Sequence, residues 1–176
     1  DWSRAANWSP AGVPAAVDTV RIVAAANAAV LNADAAVSRI VIVGNSLTLN
    51  GNRLAVSGDF QTGEGSNSSG VLTMQSAADT LTIGGVATFG GAPLSGQLTA
   101  GVLLAAGDFT QVYVGSNWES FQASGAHRTV LNGTAAQTVS FTNPGTAGQT
   151  SFFQDLEIAK SGGSVSLGSA VFANGQ

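Results

Sequence analysis

The 176-residue chain has no cysteine, one histidine (His127) and one lysine (Lys160). Without cysteine it can build no disulfide framework, no thiolate metal site and no cysteine nucleophile. Only 9% of its residues are charged, far below the roughly 25% of an average globular protein. The formal net charge of -4 at pH 7 offers no basic surface for nucleic acid. So few ionisable groups also argue against an enzyme, because an acid–base site needs several of them close together.

Long apolar runs are absent as well. No stretch approaches the roughly 20 residues that span a bilayer as a helix, so we expect no membrane insertion. The chain starts at Asp1 without the basic and apolar regions of a signal peptide, and it stops at Gln176 just after a predicted strand. We therefore expect a piece cut from something longer, with a truncated C-terminal end.

Glycine is abundant, with 23 residues, and it separates short segments in which apolar and small or polar residues alternate. Alternation over three to five residues is typical of a half-buried strand. The segments are residues 20–22, 40–42, 47–49, 54–56, 72–74, 81–83, 156–158 and 165–167. Pairs such as Gly44-Asn45 and Gly84-Gly85 lie between them and permit the positive φ of tight corners. The alanine-rich segment 24–37 lacks a helical apolar stripe, and we predict corner and strand there too.

Loose internal repeats indicate how these strands are organised. Gly-Asp-Phe occurs at 58–60 and again at 107–109, and Val-Leu-Asn occurs at 30–32 and 130–132. The spacings fit structural repeats of about 20 to 25 residues. We therefore predict that residues 1–176 form one all-β domain, a single-stranded right-handed parallel β-solenoid (β-helix) with about seven or eight short coils. Stacked coils repeat each surface position every 4.8 Å or so, where like charges repel, and this accounts for the low charge.

The first eighteen residues contain the most specific motifs: Asp1-Trp2-Ser3, Asn7-Trp8-Ser9-Pro10, Gly12-Val13-Pro14 and Asp18-Thr19-Val20. This segment resembles the start of β-solenoid regions in large bacterial surface and secreted proteins of the adhesin-like and autotransporter-like group. Residues 47–60 and 129–139 resemble the repeats of those proteins. The resemblance implies a solenoid fold and an extracellular or bacterial cell-surface location, and it carries over no catalytic residue. Residues 1–18 would then be the N-terminal capping segment.

Two aromatic groups are candidate sites. Trp2 and Trp8 lie near one end, where such rings either stack on sugars or cover the apolar interior of the first coil, and we favour capping. The second group lies in the least repetitive stretch, 113–128, which we predict to be an inserted loop. A loop that leaves a regular scaffold is a common place for binding residues, although packing against the rod explains the same residues. The candidate binding residues are Tyr113, Trp118, Phe121 and His127.

The charged and hydroxyl residues indicate little chemistry. Asp59 and Asp108 occupy Gly-Asp-Phe corners, where Asp side chains bond nearby backbone amides. Asp155, Glu157 and Lys160 are expected to share an exposed, solvated face. We predict no catalytic residue, no cofactor and no metal ligand, and only a calcium ion at a corner stays open. An outward ladder that orders water, as in ice-binding solenoids, would need a stack of Thr48, Thr73, Thr82 and Thr99.

The sequence thus predicts a non-catalytic structural or adhesive β-solenoid segment of a bacterial extracellular or surface protein. Its expected partners are neighbouring solenoid segments of the same or identical chains, and glycans. One alternative is a self-assembling subunit of an extracellular filament, because unpaired strand edges template the addition of another chain. Another is a carbohydrate-binding or carbohydrate-active β-helix, for which only residues 113–128 would supply a site.

Overall fold

The computed structural model describes residues 1–65, 69–113, 115 and 118–175. Regular structure in them is short β-strand except for a 3₁₀ helix at Ala5–Asn7, and no helix there is long and apolar enough to cross a membrane. The all-β prediction is confirmed. The strands are β1 (Thr19–Ile22), β2 (Ala29–Val30), β3 (Ala35–Val37), β4 (Arg39–Ile42), β5 (Ser46–Thr48), β6 (Arg53–Val56), β7 (Phe60–Thr62), β8 (Val71–Thr73), β9 (Thr80–Ile83), β10 (Ala87–Phe89), β11 (Val102–Ala105), β12 (Phe109–Gln111), β13 (Arg128–Leu131), β14 (Gln137–Phe141), β15 (Asp155–Ile158) and β16 (Val165–Leu167).

The strands form three parallel sheets, which confirms the predicted parallel pairing. In the described residues the first sheet has the order β1-β4-β7-β10-β12-β14-β16, the second β3-β6-β9-β11-β13-β15 and the third β2-β5-β8. The third sheet is continued by isolated parallel bridges, from Met74 to Leu98 and from Leu98 to Ala123. The chain therefore visits the three sides in turn and returns to the first. The alanine-rich segment 24–37 forms β2 and β3, as predicted, and no helix.

The length of one pass around the three sides varies along the chain. Paired residues of the first sheet are 20 residues apart in the first two passes, at Val20, Ile40 and Phe60. The four later passes are 27, 22, 30 and 28 residues long. The predicted repeat of about 20 to 25 residues thus fits three of these six passes.

The interior is filled by inward-facing apolar side chains whose size changes along the stack. Leu54, Leu81 and Leu103 lie opposite one another in the second sheet and are buried. Toward the wider later passes the core contains phenylalanine, with ring centroids 5.2 Å apart for Phe89 and Phe109. The buried phenylalanines that form this stack are Phe60, Phe89, Phe109, Phe121, Phe141 and Phe153. Each buried ring contributes roughly 1.5–3 kcal/mol by leaving water.

The corners between the second and first sheets bond one pass to the next. The backbone amide of Val86 donates to Asp59 Oδ1 at 2.9 Å, and that of Thr138 donates to Asp108 Oδ1 at 2.7 Å. The prediction that these carboxylates bond amides of their own turn is therefore wrong, because the acceptors face the following strand. Gly107 completes such a corner, since a Cβ there would overlap the carbonyl of Gly85.

Candidate functional site

Tyr113 and Trp118 form an exposed aromatic pair in the connection between β12 and β13. Their ring centroids lie 4.3 Å apart with an interplanar angle of 31°, so the two rings pack against each other at a tilt. Each residue keeps 40% of its surface exposed. The pair is a platform of two large rings that the core does not cover.

Side chains from the following pass hold the backbone of both residues. The amide of Tyr113 donates to Thr142 Oγ1 at 2.6 Å. Asn143 Nδ2 donates to the carbonyl of Trp118 at 3.0 Å, and Ser151 Oγ donates to the same carbonyl at 3.2 Å. Both ends of the aromatic segment are therefore fixed, even though its rings face solvent. Residues 114, 116 and 117 of the predicted inserted loop lie outside the described residues, as does Gln176 at the predicted truncated end.

The other two candidate binding residues lie in the interior, which divides the predicted group of four. Phe121 is fully buried in the phenylalanine stack, with its ring centroid 4.7 Å from that of Phe89. His127 is also fully buried, and its ring centroid lies 6.2 Å from that of Phe121. Neither side chain can touch a ligand on the surface. The structure thus restricts the candidate surface site to Tyr113 and Trp118.

His127 is an isolated polar group in an apolar setting. Its two ring nitrogens and Thr129 Oγ1 are buried and have no hydrogen-bond partner among the described residues. Burial lowers the pKa of His127 from its ordinary value of 6.5 to about 4, because the imidazolium would lose its hydration there. The ring is neutral at pH 7 and has no carboxylate or hydroxyl bonded to it, so it lacks the geometry of a general base.

Trp2 and Trp8 lie at the end of the stack that precedes β1. Trp2 is buried in the core cluster, and its backbone amide donates to the carbonyl of Val30 at 2.9 Å. The rings of Trp2 and Trp8 meet edge to face with centroids 4.9 Å apart, and Trp8 Nε1 donates to the carbonyl of Trp2 at 2.8 Å. Trp8 also lines an open groove of about 890 Å³ beside β1. This is the placement that the capping interpretation requires.

The charged residues near the other end do not converge on a reaction centre. Arg128 Nη1 and Glu157 Oε2 form an exposed ion pair at 3.0 Å. Lys160 Nζ instead donates to the carbonyls of Gly133 at 2.7 Å and Ala135 at 2.9 Å. Lys160 is thus not placed to exchange a proton with Asp155 or Glu157. The described residues also contain no group of three or more His, Asp or Glu side chains that could hold a metal ion.

The threonine ladder required for ordering water is not formed. Thr48 and Thr73 lie opposite each other in the third sheet, but Thr73 is buried and donates to Gln97 Oε1 at 2.9 Å. Thr82 lies in the second sheet, between Ala55 and Leu104. Thr82 therefore lies on a different side from Thr48 and Thr73, because the same Leu-Thr motif occurs in strands of two sheets.

Sequence reasoning missed two buried polar residues that organise corners. Asp79 accepts hydrogen bonds from the backbone amides of Gly51 at 2.6 Å, Gln75 at 2.8 Å and Ser76 at 3.0 Å. Its position directly before a strand was the available signal, since Asp caps turns in this way.

The second of these residues, Gln137, joins its own corner to the passes before and after it. Gln137 Nε2 donates to the carbonyls of Ala105 at 3.0 Å and Gly107 at 2.6 Å in the preceding pass. Its Oε1 accepts from the amide of Gly133 in the same corner at 3.1 Å and from Lys160 in the following pass. No sequence motif marks this residue, because most of its partners lie in neighbouring passes.

Comparison with known proteins adds nothing to these observations. No protein-family model matches the sequence, and neither a curated protein nor a solved structure matches the chain. Only the fold and the geometry of the residues described above therefore bear on the function of the chain.

Proposed function

We propose that the chain is a non-catalytic β-solenoid segment with a structural or adhesive role in a bacterial extracellular or surface protein. The observation that carries this proposal is the order in which three parallel sheets are visited, with one continuous apolar core between them. The seven strands of the first sheet support a count of seven coils. A right-handed winding follows the general preference of parallel crossover connections.

A scaffold accounts better for the polar residues than an enzyme does. Asp59, Asp79, Asp108 and Gln137 all direct their side chains to backbone amides or carbonyls of their own corner or of a neighbouring coil. Glu157 pairs with Arg128 on the surface. These side chains join coils, so few ionisable groups remain for a reaction centre.

We expect an antibody raised against this chain to label intact bacteria that produce the parent protein, to the same extent as permeabilised ones. The physical reason is that a cysteine-free domain with little charge and a solvated strand surface suits a position outside the cell. Flow cytometry of the two preparations makes the comparison, with a cytosolic protein as the control for leakage. Labelling seen only after permeabilisation would contradict the proposed location.

A second candidate function is self-association, and the C-terminal end of the stack favours it. Ile158 and Leu167 are 60% and 61% exposed. Ile158 lies opposite Leu131 and Leu167 lies opposite Val139, both buried, so Ile158 and Leu167 occupy inward positions without a covering coil among the described residues. At the opposite end Trp2 is buried in the core cluster. If Trp2 caps that end, association between two C-terminal ends gives a closed dimer, whereas a head-to-tail filament has to displace Trp2.

We expect the 176-residue chain to show a concentration-dependent dimer in sedimentation equilibrium. Ile158→Lys together with Leu167→Lys should make it monomeric at every concentration, because two charges would enter the apolar end. Val17→Lys is the matched control, since Val17 is 84% exposed at the other end. A wild-type chain that stays monomeric contradicts the association, and masses that grow beyond the dimer support the filament instead.

A further inference from the structure

The exposed pair of Tyr113 and Trp118 has no role in holding the scaffold together. Both rings lie outside the core cluster, whereas Phe109 and Phe121 on either side of them in sequence belong to it. Each ring leaves a large apolar area in water, which costs roughly 25 cal/mol for every Å². Exposed paired rings of this kind call for an explanation other than folding.

The pair is also pre-organised. The backbone amide of Tyr113 donates to Thr142, and the carbonyl of Trp118 accepts from Asn143 and Ser151, at distances of 2.6 to 3.2 Å. Asn143 Nδ2 additionally donates to the carbonyl of Gln149 at 2.6 Å, which joins the aromatic segment to the neighbouring loop. A ligand that docks on rings already fixed in place loses less free energy to ordering of the site.

The neighbouring loop determines what kind of ligand fits. Residues 142–151 contain threonine, serine, asparagine and glutamine but no charged residue. Thr146 and Gln149 in this loop are exposed, so the loop that Asn143 joins to Trp118 offers uncharged donors and acceptors to solvent. Glu119, next to Trp118, adds a negative charge that disfavours an anionic ligand. The site therefore combines flat apolar area with neutral hydrogen-bonding groups.

We propose that Tyr113 and Trp118 form a binding platform for a neutral saccharide. The C–H face of a sugar ring packs on the aromatic rings, and its hydroxyl groups exchange hydrogen bonds with the loop of residues 142–151. This inference deepens the adhesive role proposed above and names its ligand class. No covalent step is involved, and the chain binds the saccharide without altering it.

The test uses the 176-residue chain and an immobilised panel of neutral oligosaccharides built from glucose, galactose, mannose or N-acetylglucosamine, with heparin as the anionic probe. We expect at least one neutral oligosaccharide to bind. Trp118→Ala and Tyr113→Ala should each weaken that binding by roughly tenfold or more, and Trp118→Phe should retain part of it. Phe172→Ala is the matched control, because it removes a ring that is 37% exposed at the far end.

Thermal unfolding of each variant distinguishes a loss of binding from a loss of folding. The variants at positions 113 and 118 should melt close to the wild type. Binding of no neutral member, binding of heparin alone, or equal losses for Trp118→Ala and Phe172→Ala would each overturn the platform. Failure here with antibody labelling of intact cells preserved removes the saccharide site and leaves the scaffold proposal standing. Saccharide binding without labelling of intact cells supports the saccharide site and contradicts the proposed surface location.

Discussion

Replacing Phe109 by alanine is expected to lower the free energy of unfolding by about 3–5 kcal/mol. Phe109 is fully buried at the centre of the phenylalanine stack. Its ring centroid lies 4.9 Å from Phe121, 5.0 Å from Phe153, 5.2 Å from Phe89 and 5.9 Å from Phe141. The substitution removes four aromatic contacts, and the strands β10 and β14 on either side of β12 restrict how far the cavity can collapse.

Urea unfolding followed by circular dichroism measures this loss. Phe109→Leu is the partner variant, because it keeps most of the volume and should cost under about 1.5 kcal/mol. Phe172→Ala is the exposed control and should cost much less than Phe109→Ala. Similar losses at positions 109 and 172 would show that the phenylalanine stack is not the centre of the core.

Strands in all three sheets were predictable from sequence where inward positions alternate. Alternation at 40–42 and 81–83 falls within β4 and β9, where Ile40, Ile42, Leu81 and Ile83 are all buried. Alternation at 47–49 and 72–74 overlaps β5 and β8 of the third sheet. Beyond β8 that side is continued by isolated bridges, so alternation has no length over which to establish itself there.

The candidate site was only half predictable, for a related reason. Closeness in sequence suggested that Tyr113, Trp118, Phe121 and His127 act together, but Phe121 and His127 are buried whereas Tyr113 and Trp118 are exposed. Thr142, which binds the backbone amide of Tyr113, lies one pass later around the three sheets. Because the length of one pass varies from 20 to 30 residues, sequence spacing does not show which residue of the next pass lies beside a given one.

Acidification is expected to destabilise the protein through His127 by roughly 3 kcal/mol between pH 6.5 and pH 4. The pKa of the buried ring is lowered to about 4 in the folded chain, against an ordinary value near 6.5 when the chain is unfolded. Between these values the unfolded state binds the proton and the folded state does not, so stability falls as the pH falls. His127 lowers stability by nothing further above pH 6.5, and its full destabilising effect is reached below pH 4. Each unit of difference between the folded and unfolded pKa corresponds to about 1.4 kcal/mol in the free energy of unfolding.

The groups around the ring explain why nothing in the fold offsets this cost. Phe121 packs against it, and Thr129 Oγ1 is buried nearby without a described partner. Among the described contacts, Asp155 contacts His127 only through its backbone amide, which donates to the carbonyl of His127 at 3.3 Å. Arg128, the adjacent cation, is paired with Glu157 and would repel a charged imidazole.

Urea unfolding of the wild type and of His127→Leu at pH 7 and pH 4 isolates the histidine, because the carboxylates titrate in both proteins. The wild type should lose roughly 3 kcal/mol more than the variant over this interval. His127→Leu should also be at least as stable at pH 7, since leucine fills the space without burying two unpaired nitrogens. An equal pH dependence in the two proteins would mean that the ring finds a partner or water when protonated, and that this part of the core is more open than its packing indicates.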